Sequence, residues 1–276
     1  RRAVESVLAQ DDPEWRLVVI DDAYPDGTAA SWLSSVTDPR VRYVRNETNL
    51  GISANFRRAV DLIASDHVVI MGFDDVLLPN YVATVRRAIT HDPSVDIVQP
   101  GVRVIGADGS PSTPLVDRVK ALLAPRRQLA TLRGQDLAAS LLRGNWLYWP
   151  SLAFRTETIR RHRFREDLAV IQDLAILIDI ALANGSLIRE RTIAFVYRRH
   201  SGSASQVALE DGTRFSDERR YYSEAAALCA ARGWRKAQRQ AQLRLMSRLH
   251  AITELPRMLR MRRASAIRAC LAHIFC

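Results

Sequence analysis

Val68-Val69-Ile70-Met71-Gly72-Phe73-Asp74-Asp75 is the stretch on which the reading of this chain turns: an apolar run that stops on two adjacent carboxylates. Short runs rich in Val and Ile, without polar alternation, read as strands buried on both faces, the habit of parallel sheets. The same arrangement stands earlier, where Leu17-Val18-Val19-Ile20 runs into Asp21-Asp22. Ligands of open α/β sheets gather beyond the carboxyl ends of such strands. Two acidic pairs there must hold a cation, or a phosphate through a cation, which points to a metal–nucleotide site.

Outward from these two tips, strands and helices alternate. Residues 1–9 read as the back half of a helix, with Val4, Val7 and Leu8 on one face. Strands are expected at 16–22, 41–44, 67–71 and 96–105, and helices over 28–33, after Ser53 as N-cap, and after Pro79. This alternation predicts a doubly wound, mostly parallel sheet. Residues 106–130, dominated by Gly, Pro, Ser and Arg, read as a loop or mobile lid. A helix over about 135–142 follows, then Trp146, Tyr148 and Trp149, a strand at 152–154, an apolar helix from Leu168 to Asn184 ended by Gly185, and a strand from Ile193 to Tyr197. From Ser216 onward the pattern is helical. Leu245, Leu249 and Ile252 share one face and Ile267, Leu271 and Ile274 another, and Pro256 is expected to break these helices apart.

The 276 residues, 47% of them hydrophobic, suffice for one large α/β domain or a domain with an appendage. The three cysteines, Cys229, Cys270 and Cys276, show no CxxC spacing and no nearby His cluster, which argues against a disulfide scaffold or zinc ribbon and for a reducing compartment. No run of apolar residues is long enough to span a membrane, and no signal peptide is visible. The net charge of +10 is uneven: Ser216–Cys276 holds 13 Lys and Arg against 4 Asp and Glu, and the rest is almost neutral. Two readings fit this tail, a solvated helical face or a contact with an anionic membrane surface or acidic partner. No nucleic-acid-binding pattern is present, and no nucleic acid is expected as a partner.

Four groups of residues could carry chemistry. Asp74 and Asp75, leaving a strand side by side, point in different directions, so that one ligates a divalent ion while the other accepts from a ribose; the plain alternative is capping of the next helix. Asp21, Asp22 and Asp26 form the second group, able to accept from a base N–H, although Asp26-Gly27 reads as a turn held by its own Asx bond. Asp173 lies in Leu168–Leu177, otherwise apolar but for Gln172; it faces a cleft or is paired, and a partly desolvated carboxylate there suits a general base. Arg198, Arg199 and His200 end the last strand, where Arg suits diphosphate oxygens and His a metal shell or phosphate.

In sequence order, Arg2–Gln10, Val19–Thr28, Asn46–Ser53 and Gly72–Asn80, followed by Gln172-Asp173 and Tyr197–Ser205, resemble the family 2 glycosyltransferases of GT-A fold over roughly residues 1–205. The resemblance implies inverting transfer of a sugar from a nucleotide-sugar donor, a UDP-sugar as first choice, to a glycan or lipid-linked acceptor, with Mn²⁺ or Mg²⁺ as cofactor. Carried over residue by residue, it implies that Asp22 (with Asp21 beside it) contacts the base, Asp74 the ribose and Asp75 the metal. Asp173 becomes the base that takes the acceptor proton, and His200 or Arg199 touches the diphosphate or the metal. Three departures stand out. Gly72 occupies a position that is usually Asp, Gln172 one that is usually Glu, and the first strand with its base-binding loop, expected before residue 1, is missing, so that a truncated chain with weak donor binding is expected.

The expected architecture is therefore α/β of GT-A type with a helical C-terminal extension. A nucleotide-sugar half spans 1–105, an acceptor half 106–205, and a basic amphipathic extension 206–276. A cytoplasmic place, at the inner face of the cell membrane, is expected. The competing readings are another nucleotide-dependent transferase and a degenerate homologue that binds glycan or a partner without turnover.

Overall fold

The computed structural model describes residues 1–162, 164, 165, 167, 168, 170–200 and 204–275. Helix α1 (Arg2–Leu8) leads into β1 (Leu17–Asp21), α2 (Thr28–Leu33), β2 (Val41–Arg45), α3 (Ile52–Asp61), β3 (His67–Val69), β4 (Val76–Leu77), α4 (Tyr81–His91) and β5 (Ile97–Ile105). There follow α5 (Leu115–Leu123), β6 (Ala130–Arg133), α6 (Gly134–Arg143), β7 (Ala153–Arg155), α7 (Thr156–Arg161), α8 (Gln172–Leu182) and β8 (Ser186–Arg198). The chain closes with α9 (Ala204–Asp211), α10 (Thr213–Ala231), α11 (Arg235–Leu243), α12 (Leu245–Arg260) and α13 (Ala264–Phe275).

The two longest ladders, β1 on β2 and β5 on β8, are both parallel. The larger sheet runs β3-β7-β5-β8-β4, with β6 on the same edge of β8 as β4 but at its other end. β3, β4, β6 and β7 join through short antiparallel ladders. Ile97, Val98, Leu187, Ile188 and Phe195 are fully shielded at the centre, as unalternating apolar strands require.

Four expectations need correction. Residues 106–130 are not a bare loop: Leu115, Val119 and Leu122 recur at helical spacing and form α5, which the flanking Pro and Arg residues mask in the sequence. The last strand begins at Ser186, because its polar residues face the short β6 rather than solvent loops. The apolar helix starts at Gln172, so Asp173 stands in its first turn and not in its middle. Pro256 lies inside α12 without ending it; the break comes at Met261–Arg263, where Arg262 takes a positive φ.

The helical extension is welded to the body. Tyr221, Tyr222, Ala225 and Cys229 of α10 and Ala237 and Ala241 of α11 share one core with α6 and α8. A smaller core of Leu209, Phe215, Met258 and Cys270 holds α9, α12 and α13 together. Leu174, Ile176, Leu177, Ile178 and Ile180 of α8 are excluded from solvent. At about 1.5–3 kcal/mol for each such side chain, this burial fixes the helix whose first turn displays Asp173.

Candidate functional site

The acidic tip is built by a strand that has run out of partners. After β3 the chain bends at Phe73 and Asp74, and Asp75 turns inward, 2% exposed, with its Oδ1 accepting the Arg198 N–H at 3.1 Å. Asp74 stays half-buried, its Oδ2 3.0 Å from His200 Nε2. Arg198 closes the tip from outside: its Nε donates to the Asp74 carbonyl at 3.1 Å and its Nη1 to the carbonyls of Gly106 and Ala107 at 3.2 Å. Neither carboxylate caps the helix after Pro79, which removes the capping alternative.

The missing side chain at Gly72 explains the convergence. A Cβ placed there would lie 2.9 Å from Asp75 Oδ2 and 3.0 Å from Asp74 Oδ1. Both carboxylates thus lean over one small space. Burial, with the charge of Asp74 beside it, pushes the Asp75 carboxyl up to about 7, against the downward pull of Arg198. Two carboxylates held together and short of positive charge form a site that wants a cation. Among the described residues no group of three or more His, Cys, Asp or Glu is set to hold a metal by itself. Mg²⁺ and Mn²⁺ need no more than one or two carboxylates when diphosphate oxygens and water complete the shell, so Asp74 and Asp75 fit such an ion. His200, expected as a ligand, is engaged as the partner of Asp74.

The first acidic pair has a different condition. Asp21 is buried and saturated by Tyr43 Oη at 2.5 Å, Arg45 Nη1 at 2.6 Å and the Tyr24 N–H at 2.8 Å. These contacts hold β1 and β2 together. Asp22 accepts Asn46 Nδ2 at 2.6 Å, the Leu50 N–H at 2.8 Å and the Gly51 N–H at 3.0 Å. Burial raises its carboxyl, but these donors outweigh it and leave it below the ordinary range. Asp22 therefore shapes the Asn49-Leu50-Gly51 loop, where Gly51 takes a φ of 76° that only glycine adopts freely. Asp26 makes the expected Asx turn to the Thr28 N–H at 2.9 Å. Ser53, expected as the N-cap of α3, instead bonds the Gln172 side chain; Gly51 takes the cap position.

Asp173 sits beside that last contact. Its Oδ1 accepts the Leu174 N–H at 2.7 Å and its Oδ2 accepts Asn145 Nδ2 at 3.1 Å. Burial pushes its carboxyl above the usual range; the Leu174 N–H, Lys120 and Arg214 pull it part of the way back. The helix N-terminus favours its charged form as well. Lys120 and Asn145 escaped sequence reasoning, as did Asp117. The signal for the first and last was the i, i+3 pair on α5, visible only once that segment is recognised as a helix.

α5 joins the two acidic ends. Asp117, 7% exposed, takes the Arg199 guanidinium in a two-pronged grip at 2.6 and 2.7 Å and the Tyr148 hydroxyl at 2.8 Å. Arg199, expected on a diphosphate, thus has two donors committed to the protein. Lys120 Nζ donates to the Leu147 carbonyl at 2.5 Å and lies 4.3 Å over the Tyr148 ring. Burial pushes its amine down to about 8, and Asp173 and Asp117 counter that. Tyr197 feels Asp75, Asp74 and Asp117 together. Electrostatic interactions thus link Asp74, Asp75, Tyr197, Arg199, Asp117, Lys120 and Asp173 stepwise into one strip. Trp146 is buried and Trp149 packs against Phe56, Phe154 and Phe164, so both belong to the core. Two clefts of about 320 and 390 Å³ lie at the Ser186 end of β8, away from this strip.

Residues 1–150 match the family model described as glycosyl transferase family 2. The chain belongs to that family. Among curated relatives, the putative colanic acid biosynthesis glycosyl transferase WcaA of Escherichia coli is 29% identical over 33% of this chain and 34% of its own. The succinoglycan biosynthesis protein ExoO of Rhizobium meliloti is 25% identical over 76% of this chain and 60% of its own. The chain thus spans between a third and three fifths of the length of these relatives. Among solved structures, S. aureus TarS in complex with UDP-GlcNAc superposes with a TM-score of 0.62 at 16% identity, over 81% of this chain and 61% of that one. The mannosyltransferase of Pyrobaculum calidifontis in complex with GDP-Man and Mn²⁺ gives 0.60 at 16% identity, over 98% and 80%. These likenesses fix the GT-A type of fold.

Proposed function

We propose that this family 2 member transfers a sugar, with inversion, from a nucleotide-sugar donor to a hydroxyl of a glycan or lipid-linked acceptor, with a divalent ion at Asp74 and Asp75. The observation that carries the reading is the pair of carboxylates leaning over Gly72, joined by one polar strip to a half-buried Asp173. Donors in the two solved relatives are a UDP-sugar and a GDP-sugar. A UDP-sugar is our first choice, and it sits with its base near the Asn49–Gly51 loop that Asp22 shapes and its ribose near Asp74.

Asp173 is the proton acceptor. Its carboxyl, raised by burial and drawn back by the Leu174 N–H and Lys120, takes the acceptor proton as the oxygen attacks the anomeric carbon from the face opposite the departing diphosphate. Asn145 and the Leu174 N–H fix its two oxygens, and the Ser53–Gln172 contact anchors the turn that carries it. A bound divalent ion supplies Lewis-acid stabilisation of the leaving diphosphate. Arg198 at the acidic tip and Lys120 beside Asp173 add positive charge near the reacting groups. We place the reaction on the cytoplasmic side, where nucleotide-sugars are made.

A screen of nucleotide-sugars with Mn²⁺, reading release of nucleoside diphosphate, tests the proposal. Turnover that Asp173→Asn lowers by about 10²–10⁴-fold supports it. Donor binding without turnover, unchanged in Asp173→Asn, replaces it with a non-catalytic binding role.

A further inference from the structure

Among the described residues, the outer face of α12 is left uncovered. Leu245, Leu249, Ile252 and Leu259 are 51%, 44%, 48% and 54% exposed. Their spacing of 4, 3 and 7 residues puts them within a narrow arc of the helix. The stripe runs about 21 Å, since each residue advances 1.5 Å. The opposite side of α12, with Ala251 and Met258, is sealed in the small core. Arg260 and Arg263 stand exposed at the end of the stripe and make no ion pair among the described residues. The acid on this helix, Glu254, is half-buried and already engaged by His250 and Arg257.

A second helix repeats the design beside it. On α5, Leu115 and Leu122 are 61% and 66% exposed, seven residues apart, with Arg118 alongside and Arg127 just beyond. The two helices adjoin at Gly144, where an added Cβ would meet Leu123 Cδ1 at 2.6 Å and Met246 Cγ at 3.0 Å. The next residue, Asn145, holds Asp173. The two helices therefore meet one residue away from the side chain that holds Asp173.

We propose that the outer faces of α5 and α12 dock on an anionic lipid bilayer and so deliver a membrane-borne acceptor to Asp173. This rests on the sugar-transfer reading and names where its acceptor comes from. Half-exposed leucines in a stripe with unpaired arginines at its border suit the headgroup–acyl boundary, where apolar side chains sink and cations meet anionic phosphate. No described helix is long and apolar enough to cross a membrane, so the contact is lateral. Self-association on this face would set arginine against arginine, which disfavours a second copy as the occupant.

The full chain is sedimented with vesicles of phosphatidylcholine alone and of phosphatidylcholine with 30 mol% phosphatidylglycerol, at low and high salt, chosen as probe compositions of about a third anionic lipid. Binding to the anionic vesicles that weakens with salt is expected. Arg260→Gln with Arg263→Gln should lower partitioning by about 25-fold, at about fivefold per arginine, and Leu249→Glu with Ile252→Glu should abolish it. Circular dichroism confirms that each variant is folded, and UDP binding with Mn²⁺ in the absence of vesicles should be unchanged in both. Equal, weak binding to both vesicle types overturns the proposal. So does concentration-dependent dimerisation in sedimentation velocity that the Leu249→Glu, Ile252→Glu variant removes. Loss of UDP binding in the unmodified chain would instead remove the sugar-transfer reading on which this one stands.

Discussion

Replacing Asp75 by Asn tests the claim that the acidic tip is held under electrostatic stress until a cation arrives. The Asp75 carboxyl moves from 3.8 in the unfolded chain to about 7 in the fold. A rise of roughly 3 units at 1.36 kcal/mol per unit amounts to about 4 kcal/mol held against the folded state once the group must ionise. The sign follows from proton counting. Below the unfolded value both states are protonated and nothing is lost. Between about pH 4 and 7 the fold keeps a proton that the unfolded chain has released, so stability falls as pH rises, and it levels off above about 7. Asn keeps an oxygen for the Arg198 N–H, bound at 3.1 Å in the parent, and carries no charge. In chelator at pH 8 the Asp75→Asn chain should therefore melt higher than the parent, by up to roughly 8 °C at about 2 °C per kcal/mol for a chain of this size. At pH 5 the gap should shrink to less than half. Mn²⁺ at 100 times its dissociation constant should lift the parent by about 2.7 kcal/mol and leave the Asn chain unmoved. Scanning calorimetry over pH and metal reads all of this. A variant that melts below the parent at pH 8 in chelator, with the same deficit at pH 5, refutes the reasoning.

Three further outcomes are expected. Lys120→Met removes the cation facing Asp173, so the acid limb of the pH–rate profile, which reports ionisation of the base, should move to higher pH, with little change in KM for the donor. Asp117→Ala strips Arg199 and Tyr148 of their buried acceptor and should cost about 3 kcal/mol in chemical denaturation, the range for breaking a buried ion pair from one side. Gly72→Ala drives a methyl group against both carboxylates and should cost about 1–3 kcal/mol while weakening Mn²⁺ binding in calorimetric titration; an unchanged affinity would show that the two carboxylates do not act together.

The order of strands and helices, the acidic tips at 21–22 and 74–75 and the basic tail were legible because they are local. Unalternating Val and Ile runs, a Gly or Pro at each turn and a charge imbalance survive in one dimension. The site was legible only in part. Asp75 and Asp173 could be singled out because a carboxylate among apolar neighbours is costly wherever the chain goes. The partner of Arg199 could not be read, because Asp117 lies 82 residues away on a helix that Pro and Arg flanks disguise. Asp22 had likewise no visible reason to serve a loop 28 residues on.

The amino-acid order alone determined most of the elements and which carboxylates are expensive to bury, since both follow from neighbours within a turn or a strand. Only the tertiary structure decided which charges meet. It made Asp21 a clamp between β1 and β2, committed Arg199 to Asp117, set His200 on Asp74, and placed Lys120 and Asn145 around Asp173. Coulomb and hydrogen-bond energies fall off over a few ångströms of space, and distance in space is what the sequence does not record.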